Sequence, residues 1–398
     1  MEIFQGNFTQ QEPIPEEGID AALAVMRHGR LHRYNEAPGE VSETSRLEEE
    51  FAAQVGARYC LAVASGGYAI ATALRALGVR PGDRVLSNAF TLAPVPGAIA
   101  AVGAQPVLVE ATEALRIDLE DLQRKIGEAK VLLLSHMRGH ICDMDALMKI
   151  TTAAGVQVIE DCAHTMGAAW GDVPSGRHGA IGCYSTQTYK HVNSGEGGLL
   201  ISDDPELMAR SVMLSGSYML YEKHRAAPPP EAFSRIRYEM PNISGRMDNL
   251  RAAILRPQLK ELPRQAARWN ALYATMERGL VGTPGLAIIE RPPRERYVAS
   301  SFQFLLLDWG SAQIETVVAK CRSRGVELKW FGAAEPQGYT SRYDSWEYAA
   351  PLPMPSTDRV LAGLLDMRLP LTFRTDDCAT IARIIRDEVS REAAARGV

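Results

Sequence analysis

Three short stretches hold residue types that could do chemistry together. Glu160-Asp161-Cys162-Ala163-His164 places an acid and an imidazole at the end of an apolar run, Ser185-Thr186-Gln187-Thr188-Tyr189-Lys190 places a lysine in a polar loop, and Asn193-Ser194-Gly195-Glu196-Gly197-Gly198 is a glycine-lined turn. Upstream, Ser65-Gly66-Gly67 opens a helical pattern of Ala, Ile and Leu. A carboxylate can keep a pyridine nitrogen protonated and make the ring draw electrons, and a lysine amine can condense with an aldehyde. Backbone N–H groups at a helix start attract a dianion, and glycine lets it come close. Together these are the parts that a pyridoxal phosphate site needs. Taken singly each part is ordinary, as a strand-to-helix turn, a helix cap and a solvated lysine. Their order and spacing carry the reading.

The elements that must position them alternate in a regular beat of short β-branched runs and helical patterns, which predicts an α/β sheet. Cys60–Ala64, Val85–Leu86, Pro106–Glu110, Val131–Ser135 and Gln157–Asp161 read as strands. Asp118 and Asp143 read as helix caps, and Gly155 as a helix stop. Ligands of open α/β sheets sit at strand ends, so the loops at Ser65, His136, Asp161 and Lys190 are the places to look. From Met247 a long helical pattern runs toward Leu280, with Pro257 and Pro263 expected to kink or divide it. Strand-like segments at Val298–Leu307 and Val326–Trp330 and an amphipathic helix from Asp376 follow. The expected division is a large cofactor-binding domain over 1–255, with an N-terminal arm, and a smaller C-terminal domain over 256–398.

The chain resembles the DegT and StrS group of sugar aminotransferases, within the fold-type I pyridoxal phosphate enzymes. The resemblance is strongest in VASGGYAIATALRALGVRPGDRV, VIEDCAHTMGA and STQTYKHVNSGEGGLLISDD, and continues through SGRMDNLRAAILRPQL. It implies a large domain with a mainly parallel, mixed seven-stranded sheet flanked by helices, and a smaller α+β domain. By position, Lys190 matches the lysine that carries the cofactor and moves the substrate proton. Asp161 matches the carboxylate on the pyridine nitrogen, and His164 falls near the ring's 3-oxygen. Ser185, Gly66 and Gly67 match phosphate donors, with Gln187 in the same loop. Arg246 falls in a segment that usually reaches the partner subunit's site. The resemblance also implies a homodimer with shared sites, an amino donor such as glutamate or glutamine, and a keto-sugar or related keto acceptor.

Three departures stand out. Gly67 replaces a threonine, Leu92 stands where a ring commonly stacks on the cofactor, with Phe90 as a substitute, and Ser244 replaces an asparagine, with Asn242 two residues earlier. Relatives that dehydrate sugars carry histidine at the lysine position; here Lys190 occupies it and His191 follows as a neighbour. A dehydratase or lyase, and a non-catalytic ligand-binding regulator of the same fold, are the competing readings. On the substrate side, Arg138 could bind a carboxylate or phosphate, and His191, Arg246 and Trp330 are further candidates. Trp330 belongs to an aromatic group with Phe331, Tyr339, Tyr343, Trp346 and Tyr348 that is expected to pack between domains. His136, His140, Cys142 and Asp143 invite a zinc reading, but Gly139 interrupts the helix that HxxxH would need. No metal is expected.

Composition narrows the class. Of 398 residues, 46% are hydrophobic, enough to exclude disorder, and 43 basic against 48 acidic residues leave no footprint for nucleic acid or an anionic membrane. No apolar stretch approaches a membrane span, and six scattered Cys without CxxC spacing read as free thiols. A cytoplasmic location is expected. The basic segment Arg27–Arg33 is expected to be a solvated face or a subunit contact.

Overall fold

The computed structural model describes residues 2–336 and 342–396. Its main sheet has seven strands in the order Tyr59–Val63, Gly198–Ser202, Ile181–Ser185, Gln157–Asp161, Val131–Ser135, Arg84–Asn88 and Gln105–Val109. Only Gly198–Ser202 runs against the others, pairing antiparallel on both sides. The remaining pairings are parallel, as buried β-branched runs joined by helical crossovers require. Asp118 and Asp143 cap the helices Leu119–Lys125 and Met144–Ala154, and Gly155 ends the second at φ 65°.

A second, four-stranded antiparallel sheet follows, ordered Ala287–Ile288, Ser301–Leu305, Leu364–Arg368, Lys329–Trp330. The two sheets share one continuous core, in which Leu86, Val107, Leu132 and Val158 join Phe302, Phe304 and Leu365. Phe4 and Phe8 enter this core against the edges of the Phe373 ring, at 5.1 and 5.0 Å between centroids. The Phe4 N–H donates to Arg324 O at 2.8 Å, so the arm lies on the C-terminal part of the chain.

Two expectations are corrected. The helix Asn249–Leu280 is continuous, with both Pro257 and Pro263 inside it. Pro263 cannot donate to Leu259 O four residues back, and Gln54 Nε2 donates to that carbonyl instead at 3.4 Å. Packing against the helices Glu16–His28, Glu43–Val55 and Thr375–Arg396 holds the rest. Arg33 is not a solvated or interfacial residue. It is buried, and its two terminal nitrogens meet both oxygens of Glu48 at 2.7 and 2.8 Å. Burial raises the Glu48 carboxyl, but the Arg33 guanidinium outweighs it and holds the group down at about 2. Breaking such a pair costs about 3–5 kcal/mol. All six cysteines are buried free thiols. Among the described residues, no helix is long and apolar enough to cross a membrane.

Candidate active site

The carboxyl ends of three parallel strands deliver Ser135, Asp161 and Ser185 to one cavity of about 410 Å³, which Ser65, Gly66, Gly67, Leu92, His164, Gln187 and Lys190 also line. Asp161 is buried at its strand end. Its Oδ2 accepts from Ser135 Oγ at 3.0 Å, that hydroxyl accepts from Thr91 Oγ1 at 2.8 Å, and Oδ1 accepts from the Ala163 N–H at 3.1 Å. Asn88 fixes Ser135 by bonding both its N–H and its carbonyl, at 3.0 and 2.9 Å. Asp161 is thus held by hydrogen bonds in the wall of the cavity.

Lys190 Nζ lies 3.0 Å from His164 Nε2. Burial pulls the lysine down to about 8, with Asp161 resisting and the Arg138 and Arg368 cations adding to the fall. Burial and the Lys190 cation push the His164 ring well below the ordinary histidine range. The His164 ring is therefore held in its neutral form beside the amine. An amine near 8 is available unprotonated at mild pH, which suits both bonding to an aldehyde and taking a proton.

Also in the cavity wall, Ser65 caps the helix Gly66–Ala76 by accepting from the Tyr68 N–H at 3.1 Å. The first N–H groups of a helix have no partner within it, and those of Gly66 and Gly67 line the cavity. A Cβ on Gly66 would come 2.8 Å from the Ser185 Cβ, whereas one on Gly67 would meet nothing nearer than 4.0 Å. Gly66 is thus required by close approach, and Gly67 leaves room for a side chain. A helix start and a serine lining the same cavity as a held carboxylate and a lysine fit pyridoxal phosphate, whose phosphate and ring nitrogen need those groups. Gly66→Ala is expected to strain this cradle by about 1–3 kcal/mol. Titrating the cofactor-free protein with pyridoxal phosphate should show weaker binding in Gly66→Ala and unchanged binding in Gly67→Ala.

The other candidates fall elsewhere. Phe90 does not reach the cavity; it is buried against Phe331, 5.4 Å between ring centroids, so Leu92 alone of the two lines it. His191 is buried against Trp269, with Nε2 3.1 Å from Ser300 Oγ. Ser244 and Asn242 are exposed on the surface, and Arg246 lies over the Tyr218 ring, donating to Gly216 O at 2.6 Å. Arg138 and Trp330 line a separate, larger cavity of about 760 Å³ beside the second sheet. Phe331, Tyr343 and Trp346 are buried together, Tyr348 is exposed, and Tyr339 lies outside the described residues. His136 and His140 do not converge: His136 Nε2 is 3.1 Å from Glu160 Oε2, and His140 Nε2 is 2.9 Å from Gln303 Oε1. Among the described residues, His136, Glu160 and Cys162 form the one metal-like cluster, but Glu160 also accepts the N–H groups of Gly176, His178 and Gly179. It serves as an internal anchor for that turn.

Sequence reading missed Thr91, Asn88 and Ser135, which hold Asp161. The signal available was a run of small polar residues at two neighbouring strand ends.

Comparisons with known proteins identify the family and the fold. The model of the DegT/DnrJ/EryC1/StrS aminotransferase family matches residues 14–386. A dTDP-3-amino-3,4,6-trideoxy-alpha-D-glucose transaminase of Streptomyces venezuelae is 33% identical over 273 residues, covering 68% of this chain and 67% of its own. An L-glutamine:2-deoxy-scyllo-inosose aminotransferase of Streptoalloteichus tenebrarius is 32% identical over 259 residues, covering 64% and 61%. The crystal structure of S. venezuelae DesV superposes with a TM-score of 0.80 at 26% identity, covering 94% of this chain and 95% of that one. This chain belongs to the DegT/DnrJ/EryC1/StrS aminotransferase family and is a pyridoxal phosphate-dependent aminotransferase.

Proposed function

We propose that the enzyme moves an amino group from glutamate or glutamine to a keto-sugar or a related cyclic ketone, with Lys190 as its acid and base. The observation that carries this reading is Lys190, depressed to about 8 and set 3.0 Å from a neutral His164 in the cavity that Asp161 closes. When bound, pyridoxal phosphate supplies an electron sink for the pair left when a proton leaves the substrate carbon. Lys190 Nζ takes that proton and returns it in the reverse sense when the ketone receives the amine. Asp161 would keep a proton at the pyridine nitrogen, and Ser135 and the Ala163 N–H hold its carboxyl group in place. The N–H groups of Gly66 and Gly67 with Ser185 Oγ hold the phosphate, His164 orients the lysine, and Leu92 and Gln187 complete the wall.

The relatives named for glutamine, for a dTDP-amino sugar and for an inosose support the acceptor class and the donor. A lysine at position 190, in place of the histidine of dehydrating relatives, favours amino transfer over dehydration. The large apolar side chains Ile19, Leu23 and Met26, exposed on one face of the helix Glu16–His28, support a homodimer. With them Ile243 is exposed beside Ser244 in sequence and Tyr218 is exposed under the Arg246 guanidinium, and we assign Ser244 and Arg246 to the partner's site.

The test is the donor half-reaction. Holoenzyme mixed with glutamate or glutamine, without acceptor, is expected to lose its visible cofactor band and release one equivalent of keto acid per site. Absence of that change with either donor and with other common amino acids would overturn the reading.

A further inference from the structure

The loop that carries Lys190 is held from behind by one helix. The three residues that follow the lysine each meet the helix Asn249–Leu280. His191 packs against Trp269, 5.1 Å between ring centroids, and Val192 joins Leu255, Leu259 and Leu262 in one apolar cluster. Asn193 meets Gln258 through its main chain. Its N–H donates to Gln258 Oε1 and its carbonyl accepts from Gln258 Nε2, both at 2.8 Å. Residues 258, 262, 265 and 269 recur at helical spacing, so they form one stripe beneath the loop.

The Gln258 amide has one workable orientation. Its second N–H donates back to Ile254 O at 2.9 Å, so both hydrogens face carbonyls and the oxygen faces an N–H. Turning the amide over would set donor against donor. The Asn193 side chain is engaged elsewhere, its Oδ1 accepting from the Gly195 N–H at 2.8 Å in the turn beyond. Upstream, the Lys190 N–H donates to Gln187 O at 2.8 Å, a bond inside the loop that moves with it. A cavity of about 80 Å³, lined by Lys190, His191 and Asn193 from the loop and by Gln258, Glu261 and Gln265 from the helix, leaves the packing there incomplete. The two hydrogen bonds to Asn193 bridge that gap.

We propose that Gln258 is a positioning residue for amino transfer: by clamping Asn193 to the long helix it fixes the main chain just after Lys190, and so sets where the lysine amine stands beside His164. This rests on the reading of Lys190 as the reacting lysine. A lysine side chain is long and flexible, and its 3.0 Å approach to His164 Nε2 is kept only while the main chain beneath it stays in place. Misplacing a reacting group by about 1 Å can cost on the order of 100-fold in rate. The clamp also keeps the amine buried, and burial is what pulls it down to about 8.

Hydrogen exchange followed by mass spectrometry, and stopped-flow absorbance with the amino donor, both on the holoenzyme, test this in Gln258→Met, which keeps the length of the side chain without its amide. Gln265→Met is the control. Gln265 lies on the same stripe and lines the same small cavity, but its Oε1 accepts from Arg268 Nη1 at 2.7 Å. Gln258→Met is expected to speed exchange over residues 190–195 and to slow the saturated half-reaction about tenfold or more, with half-saturating donor changed less than about threefold. The acidic, rising limb of its rate should move to higher pH as the amine loses burial. Asp161, Arg138 and Arg368, the charges acting on the amine, stay in place, and His164 and His191 beside it stay uncharged. Glu12 and Glu261 of the small cavity are paired with Arg268 and Arg264, so the limb reads burial. Gln265→Met is expected to match the parent throughout. Gln258→Asn, whose amide is one carbon short, carries the same expectation should Gln258→Met not fold. Unchanged exchange, faster exchange with the parent's rate and limb, or an equal change in Gln265→Met overturns the positioning role. A parent enzyme that no amino donor converts overturns the transfer reading instead, and exchange in the loop still decides the clamp.

Discussion

Lys190→Ala is expected to leave the protein folded and to slow the donor half-reaction on the order of 10⁴-fold or more. Folding should survive because the native site works against this side chain: burial depresses its amine to about 8, so the charged form is less favourable there than in water. Alanine removes that cost, and the loop keeps its own support, since the Lys190 N–H donates to Gln187 O and the Asn193 N–H to Gln258 Oε1. Stopped-flow absorbance with glutamate would measure the loss, and circular dichroism would report the fold. A small amine added to the solution should restore part of the rate by serving as the missing base. Retention of a normal half-reaction would remove the shared basis of every catalytic role assigned to this cavity.

Asp161→Asn is expected to keep the shape of the site and to cost about 10²–10³-fold in the same half-reaction, the scale seen when one electrostatic stabiliser is deleted. The amide can still accept the Ala163 N–H, and its NH₂ can donate to Ser135 Oγ if the Thr91 hydroxyl turns to become an acceptor. What disappears is the negative charge. That charge also raises Lys190, so its removal should drop the lysine further below about 8. The rate against pH should therefore shift its acidic, rising limb toward lower pH in Asp161→Asn. A variant equal to the parent in rate and in pH profile would show that Asp161 does not hold the ring nitrogen.

Much of this site could be read from the chain alone because its residues announce themselves locally. An acid ending an apolar run and a serine opening a helix occupy positions that strand and helix geometry dictate within a few residues. The strands Val131–Ser135 and Gln157–Asp161 have the bounds that their sequences imply. The parts that were not legible depend on distant partners. Whether Phe90 or Leu92 faces the cavity is decided by Phe331, far along the chain, which claims the phenylalanine for the core. Arg33 looked like one more surface charge because its composition says nothing of Glu48. Proline spacing likewise could not foresee that Gln54 would serve the carbonyl left bare by Pro263.

The contact of Phe4 and Phe8 with Phe373 bears on how the molecule is assembled. As the chain leaves the ribosome these two rings emerge early, while the surface that receives them waits for the final helix. Gly325 has no room for a side chain because the Phe4 carbonyl fills that space, so the fit is specific as well as apolar. A cut after residue 255 would strip both rings of their cover and divide the core that the two sheets share. The early segment and the small sheet thus cover one another, each completing the core that the other begins.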